Sequence, residues 1–96
     1  GVDVRLVSVT HTEGRLMTHL RIYNGQDAPL SFTPDDIWLA LGYAEDPPGP
    51  RIPAEAMQPF TLLPGQAADV SLVWPWSGEP YAALGVKGWR WGVAVG

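Results

Sequence analysis

The chain has 96 residues, ten prolines, eleven glycines, no cysteine and a net charge of -4. This length fits one small domain over residues 1–96, and the prolines and glycines separate apolar runs as turns do. The six Lys and Arg residues are scattered, which argues against a nucleic-acid partner because phosphate binding needs clustered cations. The absence of cysteine excludes disulfides, thiolate metal sites and a cysteine nucleophile. No apolar run approaches the ~20 residues of a membrane span, so membrane insertion by this segment is not expected.

The N-terminal third predicts a hairpin of two long strands. The first strand, Val2 to Thr10, changes phase after Leu6, which predicts a β-bulge or a strand that passes between sheets. Glu13-Gly14 is a hairpin signal, and the second strand runs from Arg15 to Asn24. Alternation on the second strand assigns one face to Leu16, Leu20 and Ile22, and the other to Met17, His19, Arg21 and Tyr23.

The middle of the chain predicts short extended pieces and one short helix. A brief extended piece, Leu30 to Thr33, ends at Pro34-Asp35-Asp36. The next strand runs from Ile37 to Tyr43 and points Ile37, Leu39 and Leu41 inward, and Trp38, Ala40 and Gly42 outward. Pro53 to Gln58 predicts a helical turn because proline suits the first helical position.

The C-terminal half predicts three more strands after a tight turn. Leu63-Pro64-Gly65 is typical of a type II turn, since proline presets its second residue and glycine allows the positive φ of its third. Strands follow over Val70 to Trp76, Tyr81 to Lys87 and Trp89 to Val95. Short alternating strands with frequent turn signals favour an all-β fold, an immunoglobulin-like antiparallel β-sandwich of about seven strands. A small barrel is the alternative.

The order of motifs resembles the telokin-like, immunoglobulin-like extracellular domains of bacteria, a family of unknown function similar to a secreted immunoprotective antigen. The motifs are Leu20-Arg21-Ile22-Tyr23-Asn24, the segment from Asp36 to Tyr43, Leu63-Pro64-Gly65, Trp74-Pro75 and the strand from Tyr81 to Val86. The resemblance implies a secreted or cell-envelope location and a binding or accessory role. It supplies no catalytic residue.

The five tryptophans are the most unusual feature of the composition. Most of them are expected to fill the core, because large aromatic side chains dominate small cores. Trp38 is the candidate for an exposed indole, since its neighbours take the inward face. Together with Tyr23, His19 and Arg21 it forms the predicted ligand-binding patch.

The other chemistry-bearing residues predict no catalytic, cofactor or metal site. His11 and His19 lack a third ligand, and the acidic pairs Asp35-Asp36 and Glu45-Asp46 lack EF-hand spacing. No serine has a nucleophile motif, and no glycine-rich phosphate loop is present. The chain is therefore interpreted as not being an enzyme.

Three functional hypotheses follow. The first is a non-catalytic extracellular or cell-envelope accessory module that contacts a protein partner or the remainder of a larger parent chain. An unpaired strand edge or an apolar patch would favour it. The second is a carbohydrate-binding module that holds a glycan on exposed aromatics, namely Trp38 together with one of Trp76, Trp89 or Trp91. The third is a protease-inhibitor-like domain that presents the loop Asp46-Pro47-Pro48-Gly49-Pro50.

Overall fold

The computed structural model describes residues 1–42 and 50–95. These residues form nine β-strands, a single 3-10 turn at Pro34–Asp36 and an isolated bridge at Glu55, and they contain no α-helix. The strands are β1 Val2–Thr12, β2 Arg15–Asn24, β3 Leu30–Phe32, β4 Ile37–Leu41, β5 Arg51–Pro53, β6 Phe60–Leu62, β7 Ala67–Pro75, β8 Tyr81–Val86 and β9 Trp89–Ala94.

The strands form two main sheets and one small sheet, and every pairing is antiparallel. The first sheet has the order β1-β2-β7, the second sheet has the order β5-β4-β8-β9, and the small sheet pairs β3 with β6. The prediction of an all-β antiparallel sandwich is confirmed. The strands are more numerous than the predicted seven because β3, β5 and β6 have three residues each, too few for an alternation to be recognised.

The long hairpin agrees with its sequence pattern. The register of β1 against β2 shifts between Leu6 and Ser8, where the apolar phase changes, and Val7 at the bulge is 55% exposed. Gly14 turns the hairpin with a φ of 81°. The bulge thus lets β1 keep apolar side chains on the inner face on both sides of the shift.

The core lies between the two main sheets. β2, β4 and β8 each contribute fully buried aliphatic side chains to it, and β7 contributes the fully buried Trp74. Members of this cluster from the small sheet are Phe32 and Leu62. One continuous cluster of buried side chains therefore joins all three sheets.

The predicted helical turn over Pro53 to Gln58 is wrong. Pro53 ends β5, and the Glu55 N–H donates to the Val73 carbonyl over 2.8 Å. Ala56 then has a φ of 54°, in the left-handed region. Pairing with β7 therefore overrides the local helix signal of the proline, because the backbone of Glu55 is bonded across the sandwich and not within a helical turn.

Candidate interaction site

His19, Arg21 and Tyr23 lie on the outer face of the first sheet, as their alternation predicts. Arg21 Nη1 is 3.2 Å from a carboxylate oxygen of Asp69 on β7, and His19 Nε2 is 3.4 Å from the other. The Arg21 and Asp69 side chains are each more than half exposed. Exposed ion pairs of this kind contribute little to stability. We therefore interpret these side chains as a solvent-exposed polar surface.

Trp38 points away from the core, as predicted, but the expectation that its indole is exposed is wrong. The residue is 9% exposed. The Arg51 guanidinium carbon lies 4.2 Å from the ring centroid and that of Arg90 lies 5.9 Å away, both within cation-π range. The inner side of the indole packs on Gly85, its cross-strand partner on β8, where a side chain would collide with the ring.

The four residues of the predicted ligand-binding patch are not brought together. Trp38 lies on the second sheet, whereas His19, Arg21 and Tyr23 lie on β2 of the first sheet. Their outward faces are on opposite sides of the sandwich, since the core separates the two sheets. The patch as a single aromatic and polar surface is therefore not formed, and a binding role for any one of these residues stays a prediction.

The other four tryptophans belong to the core or pack against it, which confirms the expectation for most of them. Trp74 is fully buried, and its Nε1–H donates to the Thr18 hydroxyl over 2.9 Å. Trp76, Trp89 and Trp91 are partly buried against the same cluster. The indoles are thus accounted for by packing, and the Thr18 hydroxyl satisfies the one that is fully buried.

The free edge of β7 is the feature that the sequence did not reveal. β7 is the last strand of the first sheet, and Val73 directs its carbonyl away from β2 to accept the Glu55 N–H. Backbone groups alternate in direction along a strand, so Asp69 and Ser71 direct theirs the same way. Among residues 1–42 and 50–95, no backbone partner pairs with Asp69 or Ser71 on that side.

Two further observations agree with this alternation. Pro75, which has no N–H to donate, falls in the same outward-directed set as Asp69, Ser71 and Val73. The Trp76 N–H, one residue later, donates to the carbonyl of Gly14, in the turn that precedes β2, over 3.1 Å.

A groove of about 440 Å³ runs along this edge. The edge groove is lined by the segments Glu55–Gln58, Phe60–Leu62 and Ala68–Leu72. Its apolar lining includes the partly buried Met57, Phe60 and Val70, which pack against the core. An unpaired strand edge therefore borders an apolar groove, a combination that accepts an added strand.

Both walls of the edge groove are held by polar contacts to β2. The buried Asn24 donates from Nδ2 to the Leu62 carbonyl over 2.9 Å, which fixes β6 against the first sheet. At the other end, Arg15 Nε is 3.3 Å from a carboxylate oxygen of Glu55. Apart from the bridge between Glu55 and Val73, these two segments do not pair with β7, so the edge at Asp69 and Ser71 stays open.

Two other sheet edges, β1 and β5, differ from that of β7. β1 carries the bulge near Val7 and the exposed ion pair between Arg5 and Asp3, and β5 is three residues long and ends in Pro53. Bulges, charges, prolines and short length all discourage edge pairing. A signal that could have indicated the open edge is the pair Pro53 and Pro59, which flank the segment beside β7, because proline cannot donate a ladder hydrogen bond.

Neither a metal site nor a membrane helix is present in the described part of the chain. No group of three or more His, Asp or Glu side chains there is placed to hold a metal ion. No helix in residues 1–42 and 50–95 is long and apolar enough to cross a membrane. The acidic residues Glu45 and Asp46, and the loop from Asp46 to Gly49, lie outside the described residues.

The fold and the site define a small antiparallel β-sandwich with an open strand edge beside an apolar groove. Comparison with known proteins adds no relative: no family model matches the chain, and neither curated proteins nor solved structures give a match. The geometry of the edge groove is therefore the basis of the proposed function.

Proposed function

We propose that this domain is a non-catalytic interaction module that binds an extended segment of a protein partner along β7. The observation that carries the proposal is the unpaired edge at Asp69 and Ser71 beside the edge groove. An added strand would gain main-chain hydrogen bonds from this edge and side-chain contacts in the groove, which is how sheet edges capture peptides. The partner is a separate protein or another part of a longer parent chain.

The immunoglobulin-like architecture and the location belong to this proposal. The strand order β1-β2-β7 facing β5-β4-β8-β9 supports the immunoglobulin-like architecture, because immunoglobulin-type sandwiches place their first two strands in one sheet and their last two strands in the other. The extracellular or cell-envelope location is supported by the motif resemblance. For the carbohydrate alternative, Trp38 is covered and does not offer the exposed indole that was predicted to stack on a sugar.

The test of the function is selection of a displayed random heptapeptide library on the domain, with a proline variant as the discriminating control. Ser71→Pro removes an N–H that points away from β2, so the sheet itself loses no hydrogen bond. Ser71→Thr keeps the N–H and is the matched control. We expect enriched peptides that bind the wild type and Ser71→Thr and that lose binding to Ser71→Pro by at least about tenfold, equivalent to about 1.4 kcal/mol.

Two results would overturn the proposal. One is the absence of enriched peptides on a folded domain. The other is enrichment of peptides that bind Ser71→Pro as tightly as the wild type, since such peptides would use a surface other than the β7 edge.

A further inference from the structure

We propose that the partner strand runs antiparallel to β7 and places a Lys or Arg opposite Asp69, with an apolar residue immediately before it. This inference rests on the proposed function and adds the direction, register and chemistry of the bound segment.

The direction follows from the backbone of the edge. Asp69 and Ser71 each direct both an N–H and a carbonyl outward, as deduced from the Glu55 to Val73 bond. An antiparallel strand can exchange both bonds with each of these residues, and antiparallel pairing is slightly the more stable kind. The existing bridge from Glu55 to Val73 is also antiparallel. A bound antiparallel strand would therefore run in the same direction as the chain at Glu55.

The register follows from the spacing of the two outward residues. In an antiparallel partner, the residue opposite Ser71 comes first, the residue opposite Val70 second and the residue opposite Asp69 third. The first and third side chains share the outer face with Asp69, and the second enters the sandwich side. There it meets Val70, Met57 and Phe60, three partly buried apolar residues that line the edge groove. The second position therefore takes an apolar side chain, and β-branched residues suit it best.

The charge at the third position follows from the surroundings of Asp69. Its carboxylate contacts Arg21 and His19 on the β2 side. Among the described residues, no cation contacts it from the open side. The chain as a whole is also acidic, with a net charge of -4. Opposite charges directly across two strands attract and like charges repel, so a basic residue is favoured there over an acidic one.

A designed peptide tests the inference directly. The probe is the acetylated and amidated pentapeptide Ser-Val-Lys-Val-Thr, in which Ser, Val and Lys face Ser71, Val70 and Asp69. It ends before Val73, which already pairs with Glu55. The matched control has Glu in place of Lys. Titrations followed by ¹⁵N NMR of the domain measure both affinities and the site of binding. We expect shifts centred on residues 68–72 and an affinity roughly fivefold higher for the Lys peptide in low salt.

Variants of the domain separate this inference from the proposed function. In Asp69→Asn, the affinity for the Lys peptide divided by that for the Glu peptide should fall to one or below. Ser71→Pro should bind neither peptide. Equal binding of the Lys and Glu peptides at β7 overturns the register and charge inference and leaves the proposed function intact. Binding that survives Ser71→Pro, or no binding of either peptide, counts against both. Self-association of the domain through β7, seen by sedimentation without peptide, overturns the inference in favour of a second copy as the partner.

Discussion

Asn24 shows how one buried polar residue organises several loops. It has no exposed surface. Its Nδ2 donates to the carbonyls of Ala28 and Leu62, each over 2.9 Å, and its Oδ1 accepts from the Gln26 N–H over 3.0 Å. Buried amides need partners of this kind because an unsatisfied polar group costs free energy. Asn24 thus joins the end of β2 to β6 and to the turn that precedes β3.

Replacement of Asn24 should therefore destabilise the fold. We expect Asn24→Ala to lower the free energy of unfolding by about 2–4 kcal/mol, because two carbonyls and one N–H lose their partner. Urea unfolding followed by circular dichroism measures this. Gln26→Ala is the control, since it keeps the backbone N–H that donates to Asn24 Oδ1. Its free energy of unfolding should stay within about 0.5 kcal/mol of the wild type. Equal effects of the two changes would contradict the role of Asn24.

The position of the Trp38 indole on the outer face of the second sheet depends on the absence of a side chain at Gly85. Gly85→Ala would place a methyl group in the space of the indole, so we expect Trp38 to lift from the sheet. The expected cost is about 1–3 kcal/mol, as for other overpacked sites, together with greater iodide quenching of tryptophan fluorescence. The control is Gly88→Ala, where an added methyl group meets no atom within 4 Å. If quenching did not differ between the two variants, the packing of Trp38 on Gly85 would be wrong.

At the scale of elements, the 3-10 turn Pro34–Asp36 links β3 to the hairpin of β8 and β9. Asp36 Oδ2 accepts from the Thr33 N–H over 2.7 Å and lies 3.5 Å from Lys87 Nζ. The Asp36 carbonyl also accepts from the Lys87 N–H over 2.8 Å. The bond from the Thr33 N–H lowers the pKa of the Asp36 carboxyl, burial raises it by less, and the charge of Lys87 lowers it further.

This shift predicts a pH dependence of stability. Because the pKa of Asp36 is lower in the folded state, its contribution is complete above the unfolded pKa of about 3.9 and is lost as the pH falls through the folded pKa. We expect Asp36→Asn to be less stable than the wild type at pH 6 and to approach it toward pH 2, as measured by urea unfolding. Asp35→Asn, at the exposed neighbouring position, is the matched control. A difference between Asp36→Asn and the wild type that stays constant with pH would contradict the prediction.

At the scale of the whole molecule, the single core predicts cooperative unfolding. The main cluster includes buried residues from the first, second and small sheets, so no sheet keeps its apolar face covered without the others. We expect one transition with coincident midpoints by circular dichroism and tryptophan fluorescence. The expected heat capacity change is about 1.2–1.4 kcal/mol/K, from the usual value per residue.

A tryptophan variant makes this test specific to the main core. Trp38 belongs to a separate outer cluster with Ala40 and Ala83. Trp38→Phe leaves the four tryptophans that pack in or against the main core, and its fluorescence transition should still coincide with that of circular dichroism. Separate midpoints in this variant would show that the sheets unfold independently.

Local patterns were enough to predict the strands and turns that follow a simple alternation. The bounds of β2, the bulge in β1 and the turn at Pro64 and Gly65 all agree with the sequence reasoning. Each depends on residues close together in the chain, where period-two burial and the φ preferences of proline and glycine act directly. The outward direction of Trp38 was predicted on the same basis.

The sequence by itself therefore determined an all-β chain, the faces of its long strands and most of its turns. Only the tertiary structure decided that Trp38 is covered, because that depends on Gly85, Arg51 and Arg90 from other strands. Likewise, the helix signal at Pro53 was overridden by the bridge from Glu55 to β7. The open edge of β7 has the same origin: which strands pair is decided by contacts between distant segments, and alternation along one strand carries no information about its neighbours.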